Sequence, residues 1–399
     1  MRKIELVIWV GIALETILFS GILPVLPDIG ETAGLSVQLL GVLLGAYAFS
    51  TLFFCIPFGL LSDRRNPRLI FTICLAGLSG GALLIGLYPT PLGIGVGRLL
   101  QGIAGAGVWT AGLAVAGIVA GPAARGRAVA GVFSAATAGE ILGPLVGGVL
   151  YERASSTSFY WAGAAAGLAL TVAAAFILRE PGWKRQTPET DKPSPEEPRA
   201  AATTVAVWGG LSLLVYFIFS LMLLALPVIL ADSFGRSPSE IGLVLTIWSL
   251  ILFLSQIAGG QWSDRRGWAG PVLTGFLLAG SGLLILAFEP PIGLALAALI
   301  ALAAGDGIAA TVTTSLFSKS WEQRSPAGTG LGTSFGVVNT VWSLAFLLGS
   351  VLGGVILAQS LLQGLLLGSG LVFMVLAGFF ALSRWRRIRF REAAGARAE

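Results

Sequence analysis

Apolar residues run through this sequence in long, nearly unbroken blocks. A soluble strand or helix would instead alternate apolar and polar positions with its own period. A helix that crosses a bilayer needs about 20 mostly apolar residues. Blocks of that length fall at roughly 5–27, 38–61, 69–88, 92–118, 128–151 and 159–179, and after a break at roughly 205–230, 240–262, 270–288, 291–317, 328–358 and 361–383. The break, Glu180 to Thr204, carries five prolines and charges of both signs, a composition that buries no apolar face. The pattern predicts an all-α membrane protein of twelve spanning helices. Its expected parts are a six-helix half over 1–180, a cytoplasmic linker over 181–204, a second six-helix half over 205–384 and a basic cytoplasmic tail over 385–399.

Composition supports that reading. Hydrophobic residues make up 55% of the 399 and charged residues only 11%, against about 25% charged in soluble domains. The 55 glycines follow no collagen-like period and suit the close helix packing of membrane bundles. Met1-Arg2-Lys3 before an apolar run resembles a signal peptide. Glu15 interrupts the run, however, and no small-residue cleavage site follows, so it is read as the first span. The basic residues then separate by side. If the N-terminus is cytoplasmic, 22 Lys and Arg fall on that side and only Arg153 and Arg236 on the other, with Arg98 inside a span. This bias explains the basic balance without nucleic acid. It places both termini in the cytoplasm, as expected of a protein of the cell's inner membrane surrounded by lipid.

The two halves echo one another. Leu23-Pro24-Val25 recurs as Leu226-Pro227-Val228, and Ser62-Asp63-Arg64-Arg65 recurs as Ser263-Asp264-Arg265-Arg266. Gly143-Pro144-Leu145-Val146-Gly147-Gly148 is matched by Gly349-Ser350-Val351-Leu352-Gly353-Gly354. Parallel six-helix repeats place a substrate site near the bilayer midplane, where the halves rock about it.

These residues also carry a resemblance. The stretch Gly59 to Arg68 after the second span, with its copy at Gly260, Asp264, Arg265, Arg266 and Gly267, resembles the loop motif of the major facilitator superfamily. Asn66 and Pro67 depart from that pattern, which has a glycine and a basic residue there. Arg98-Leu99-Leu100-Gln101-Gly102 resembles the family's fourth-helix motif. Gly139-Glu140-Ile141-Leu142-Gly143-Pro144-Leu145-Val146-Gly147-Gly148 resembles its fifth-helix antiporter motif, and Pro24-Val25-Leu26-Pro27 a motif of twelve-helix drug:proton antiporters. The signature of sugar porters is missing after the sixth span, where Arg179-Glu180-Pro181-Gly182-Trp183 stands. The resemblance covers essentially the whole chain. It implies a secondary transporter that exchanges protons for hydrophobic or cationic small molecules and works as a monomer, with Gly59, Asp63, Arg64, Asp264 and Arg265 in a conformational latch. Asp63 is expected against the N-terminal end of the eleventh helix, near Gly328, where a carboxylate is favoured. The plainer reading of these turns is a solvated, positive-inside loop.

Three acids lie deep in apolar spans: Glu15, Glu140 and Asp306. Intramembrane acids are functional candidates by default, as proton carriers or as counter-charges to a cationic substrate. Each also has a plainer reading, as a neutral acid satisfied by the backbone or as a polar packing contact. Arg98 is costly to insert, so it faces the bundle interior with a partner or snorkels outward. A salt bridge from Arg98 to Glu140 is one option. Gly131, Ala135, Gly139, Gly143 and Gly147 recur every four residues as a bare helix face, and Pro144 can bend that helix. Tyr47, Trp109, Tyr216, Phe217, Trp248, Phe335 and Trp342 are candidates to wall a pocket, although aromatics also face lipid. Gln101, Gln256 and Asn339 suit either ligand contact or interhelical hydrogen bonds.

Cys55 and Cys74 are too few for a disulfide framework and lack metal spacing. The chain has no histidine, so proton chemistry falls to carboxylates, and no metal or cofactor is expected. No nucleophile–base pair argues for an enzyme, and no sizeable soluble output domain argues for a sensor. The alternatives to export are transport of a defined metabolite or of a lipid.

Overall fold

The structure is a computed structural model that describes residues 2–121, 124–178, 202–325 and 331–395; the side chains of Arg2, Leu331 and 383–395 are outside the description. Most of the expected linker, Gly328 and the last residues of the tail lie outside the described residues. Among the described residues every regular element is helical. The helices are α1 Arg2–Ser20, α2 Leu26–Ala33, α3 Val37–Arg64, α4 Pro67–Leu87, α5 Pro91–Ala120, α6 Arg125–Arg153 and α7 Ser158–Ile177. They continue as α8 Ala202–Asp232, α9 Pro238–Arg266, α10 Ala269–Leu286, α11 Ile292–Arg324, α12 Leu331–Ala358 and α13 Leu362–Gly395. Among the described residues, twelve segments are long and apolar enough to cross a membrane, with α1 and α2 together forming the first.

That first span departs from the single helix expected over 5–27. It breaks into a 3₁₀ turn over Leu23–Val25 before resuming as α2. Pro24 and Pro27 lack the N–H groups that would close the helical ladder there. Elsewhere the helix ends follow local chemistry. Asn66 and Pro67, the two departures from the family's loop, start α4: Asn66 Oδ1 accepts the N–H of Arg68 at 3.0 Å and Pro67 takes the first helical position.

The internal echo extends to these ends. α2 closes on Gly34 at φ 61°, with Leu35 N–H bonded to the Gly30 carbonyl at 2.8 Å. α8 closes on Gly235 at φ 59°, with Arg236 N–H bonded to the Leu230 carbonyl at 3.0 Å. Both are left-handed glycine caps of the kind that satisfy the last helical carbonyls. Ser36 and Ser237 then cap α3 and α9, each accepting an N–H at 3.4 Å.

The helices fall into two units. The first joins α1–α8, the start of α9, the end of α11 and α12. Its apolar core gathers Ile8 and Ile12 of α1, Phe71 and Leu75 of α4, Val108 and Val115 of α5 and Val132 of α6. Gly139 and Gly143 lay the bare face of α6 against the backbone of α1 at Ala13 and Ile17, and Gly147 meets Gly21 just past its end. α3 and α12 run antiparallel in one register along their length. Gly41 meets Ser350 and Gly354, Gly336 meets Cys55, and Gly59 meets Gly332. Cys55 and Cys74 are buried free thiols.

The second unit comprises the remainder of α9, α10, most of α11 and α13. Phe276 of α10 packs on Phe373 of α13, with ring centroids 5.3 Å apart. Gly305 and Gly307 bring α11 against the backbones of α10 and α9 respectively.

Candidate coupling and substrate site

Among the described residues of the first unit, buried charged groups gather around Glu15 and Arg98. Glu15, on α1, is 2% exposed. The Tyr47 hydroxyl of α3 donates to its Oε1, the Trp109 indole N–H of α5 donates to Oε2 at 2.9 Å, and Thr16 donates to Oε2 at 3.4 Å. Thr16 also bonds the Ile12 carbonyl one turn back, at 2.8 Å. Gly105 of α5 makes the arrangement possible, since a Cβ there would press on both Tyr47 and the Glu15 carboxylate. Gly102, one turn before it, lets the α3 backbone approach at Tyr47.

Arg98 of α5 is wholly buried. Its Nη1 donates to the Leu18 and Phe19 carbonyls at 3.4 Å and to Gln101 Oε1 at 3.3 Å. Those carbonyls belong to the last turn of α1, just before its proline break, where carbonyls have no partner in the helix. The guanidinium also lies over two rings, 5.0 Å from the centroid of Tyr47 and 5.4 Å from that of Phe19. Tyr47 is thus held by cation and carboxylate at once. The salt bridge from Arg98 to Glu140 is not made: Arg98 turns to α1, and Glu140 is half-buried on α6 with no ion pair among the described residues.

Two aromatic groups flank this network. Phe19, Tyr47, Trp342 and Phe346 form one, with Phe19 at 4.8 Å from Tyr47 and Trp342 stacked on Phe346 at 5.0 Å. Trp109, Phe133 and Phe335 form the other, at 5.8 and 6.0 Å. The structure therefore brings together Glu15, Arg98, Gln101, Tyr47, Trp109, Phe335 and Trp342 of the residues singled out in the sequence. Asn339, Tyr216 and Phe217 are half-buried in the same unit. Asp306, Trp248 and Gln256 belong to the second unit, where Asp306 is 1% exposed and neither of its carboxylate oxygens has a hydrogen-bond partner among the described residues. Sequence reasoning missed Phe346, Phe133 and Gly105. The only signal for Gly105 was its place one turn before Trp109.

At the end of α3, Asp63 accepts the backbone N–H groups of Gly332 at 3.0 Å and Thr333 at 2.9 Å, and the Thr333 hydroxyl. The carboxylate thereby caps the first turn of α12. Arg64, beside it, is exposed. The copy behaves differently: Asp264 and Arg265 are exposed, and Asp264 makes no hydrogen bond among the described residues. Pro144 and Gly148 of α6 lie against α9, Pro144 at Gly242 and Gly148 at Pro238.

Comparison with known proteins agrees with this architecture. The profile described as Major Facilitator Superfamily matches residues 8–222 and 208–399. An uncharacterised MFS-type transporter of Schizosaccharomyces pombe is 37% identical over 188 residues, which is 43% of this chain and 40% of that protein. The chain thus spans less than half the length of that relative. The class H tetracycline resistance protein of Pasteurella multocida is 28% identical over 76% of this chain and 78% of its own. A crystal structure of a bacterial homologue of the human lysosomal transporter Spinster superposes with a TM-score of 0.74, covering 95% of each chain at 18% identity. That last likeness establishes the fold.

Proposed function

The chain belongs to the Major Facilitator Superfamily, and from that premise we propose that it exports hydrophobic or cationic small molecules in exchange for protons, by alternating access. The observation that carries the reading is the buried Glu15 carboxylate, held by Tyr47 and Trp109 between two aromatic groups. Similarity to tetracycline resistance proteins over most of the chain supports a drug-like substrate. The charge bias supports cytoplasmic termini in the cell's inner membrane.

The proposed cycle uses groups already in place. All the hydrogen bonds to Glu15 come from donors. A proton arriving on Oε1 makes that oxygen a donor and removes its charge, so the Tyr47 hydroxyl bond weakens or reverses direction. Tyr47 belongs to α3, which lies along α12 and carries Asp63 at its end. Loading Glu15 therefore acts on the helix pair whose inner end Asp63 latches. Arg98 positions Tyr47 from the other side. The aromatic groups bind flat apolar surface, and the Glu15 carboxylate attracts a cationic centre once its proton has left. Glu140 and Asp306 are the further carboxylates available for proton binding.

Reconstituted vesicles test this, with tetracycline as the probe and a trapped pH dye reporting protons. The wild-type protein should couple tetracycline movement to proton counterflow, and Glu15→Gln should reduce the coupled flux at least about tenfold, as expected when one acid–base group is lost. Unchanged coupling in Glu15→Gln, Glu140→Gln and Asp306→Asn alike would sink the carboxylate mechanism.

A further inference from the structure

Asp63 is not the only carboxylate that joins the end of one helix to the start of another. α6 ends at Arg153, and Glu152 in its last turn accepts the backbone N–H of Ser239 at 3.1 Å. Ser239 lies in the first turn of α9. The two contacts follow one pattern. In each, a helix of the first six spans offers an acid from its C-terminal end to the N-terminal end of a helix of the last six. In each, the paired helices then run antiparallel at close approach. α3 does so with α12, and α6 with α9, where Gly148 meets the Pro238 carbonyl and Gly242 the Pro144 carbonyl. The Thr246 hydroxyl adds a bond to the Ile141 carbonyl at 2.8 Å. Asp63 closes the second span and Glu152 the fifth, so an even and an odd crossing set them at opposite faces of the membrane.

The geometry points to Glu152 as an outer latch, the counterpart of Asp63, closing the external face when it caps α9. The first N–H groups of a helix have no partner within it, and its N-terminal end carries partial positive charge. Glu240 already serves α9 from within, accepting the Ser237 N–H at 3.0 Å and pairing with Arg236 at 3.2 Å. The Ser239 N–H is left for α6 to supply with an acceptor. Because the bond exists only while the outer ends of α6 and α9 touch, it favours the externally closed state and opposes the pull of Asp63 on the inner face. Glu152 is exposed, so salt weakens its hold.

This inference rests on the alternating-access reading, and the experiment separates the two. In a Cys55→Ser, Cys74→Ser background, Leu145→Cys places an outer reporter opposite Gly242, and Ile56→Cys places an inner reporter opposite Gly336. Labelling by a membrane-impermeant maleimide is followed in nanodiscs at low and high salt. Glu152→Ala should speed outer labelling about two- to fivefold at low salt, the size expected of a charge at a helix end, and slow inner labelling. Glu152→Gln should fall between, and high salt should shrink the difference. Asp63→Asn should move both reporters the opposite way. If Asp63→Asn does so while both Glu152 variants match the parent, the outer latch is wrong. If no variant moves the reporters in opposite directions, alternating access fails and the latch with it.

Discussion

Glu15 receives hydrogen bonds from three side chains on α1, α3 and α5, and every one is a donor to it. Such a constellation suits a carboxylate and leaves the phenol of Tyr47 energetically tied to it. Tyr47→Phe should therefore destabilise the detergent-solubilised protein by about 1.5–3 kcal/mol, the range for a hydrogen bond to a charged group. Adding Tyr47→Phe to Glu15→Gln should cost less than the two changes separately, with a coupling of about 0.5–3 kcal/mol. Thermal unfolding of the four proteins measures it, and strictly additive losses would show that the pair does not act together. Glu15 and Arg98 were legible in the sequence because charge in an apolar run stands out. Their mutual arrangement was not. The sequence left Arg98 a choice of partners, and the one it takes, the carbonyl end of α1, lies where the first span breaks after Ser20. Phe346 was illegible for the opposite reason, being one aromatic among 22 phenylalanines with nothing local to mark it.

Helices in this protein meet through glycine, and the contacts differ sharply in tolerance. Gly143 of α6 faces Ser20 and the backbone of Ile17, whereas Gly80 of α4 has open space where a side chain would go. Gly143→Ala should cost about 1–3 kcal/mol through overpacking. Gly80→Ala should be neutral or stabilising by about 0.5–1 kcal/mol through helix propensity. Comparison of their unfolding midpoints checks the assignment of the α6 face to α1, and equal shifts would refute it. The four-residue spacing of that face could be read from the sequence alone; the helix it covers could not, because a bare face names no partner. The reverse holds for the loop after the second span. Its acid and bases were legible, yet Thr333, which supplies two of the three donors to Asp63, lies 270 residues away in an unremarkable stretch.

For the molecule as a whole, the twelve apolar blocks in the sequence correspond to twelve helical segments, among the described residues, that are long and apolar enough to cross a membrane, because helices satisfy their own backbone where a bilayer offers no partner. The ends were less legible, since helices such as α11 and α13 run past their apolar blocks into charged sequence. The proposed orientation makes a direct prediction at this scale. Cysteines introduced in place of Arg65 and Arg324 should react only with reagent admitted to the cytoplasmic side, and one in place of Arg236 only from outside. The opposite pattern would invert the proposed transport direction. The pairing of α3 with α12 also has a mechanical consequence. At Gly41, Gly59, Gly336 and Gly354 the two rods touch at the backbone, while between those points Gly45 faces the side chains of Leu347, Ser350 and Val351 and the Tyr47 ring meets Trp342 edge-on. Sliding along the rods would have to carry those side chains past one another, whereas tilting about the glycine contacts would not. On the proposed cycle the pair would therefore serve as a hinge rather than a slide, with the Asp63 contact at one end governing how readily it opens.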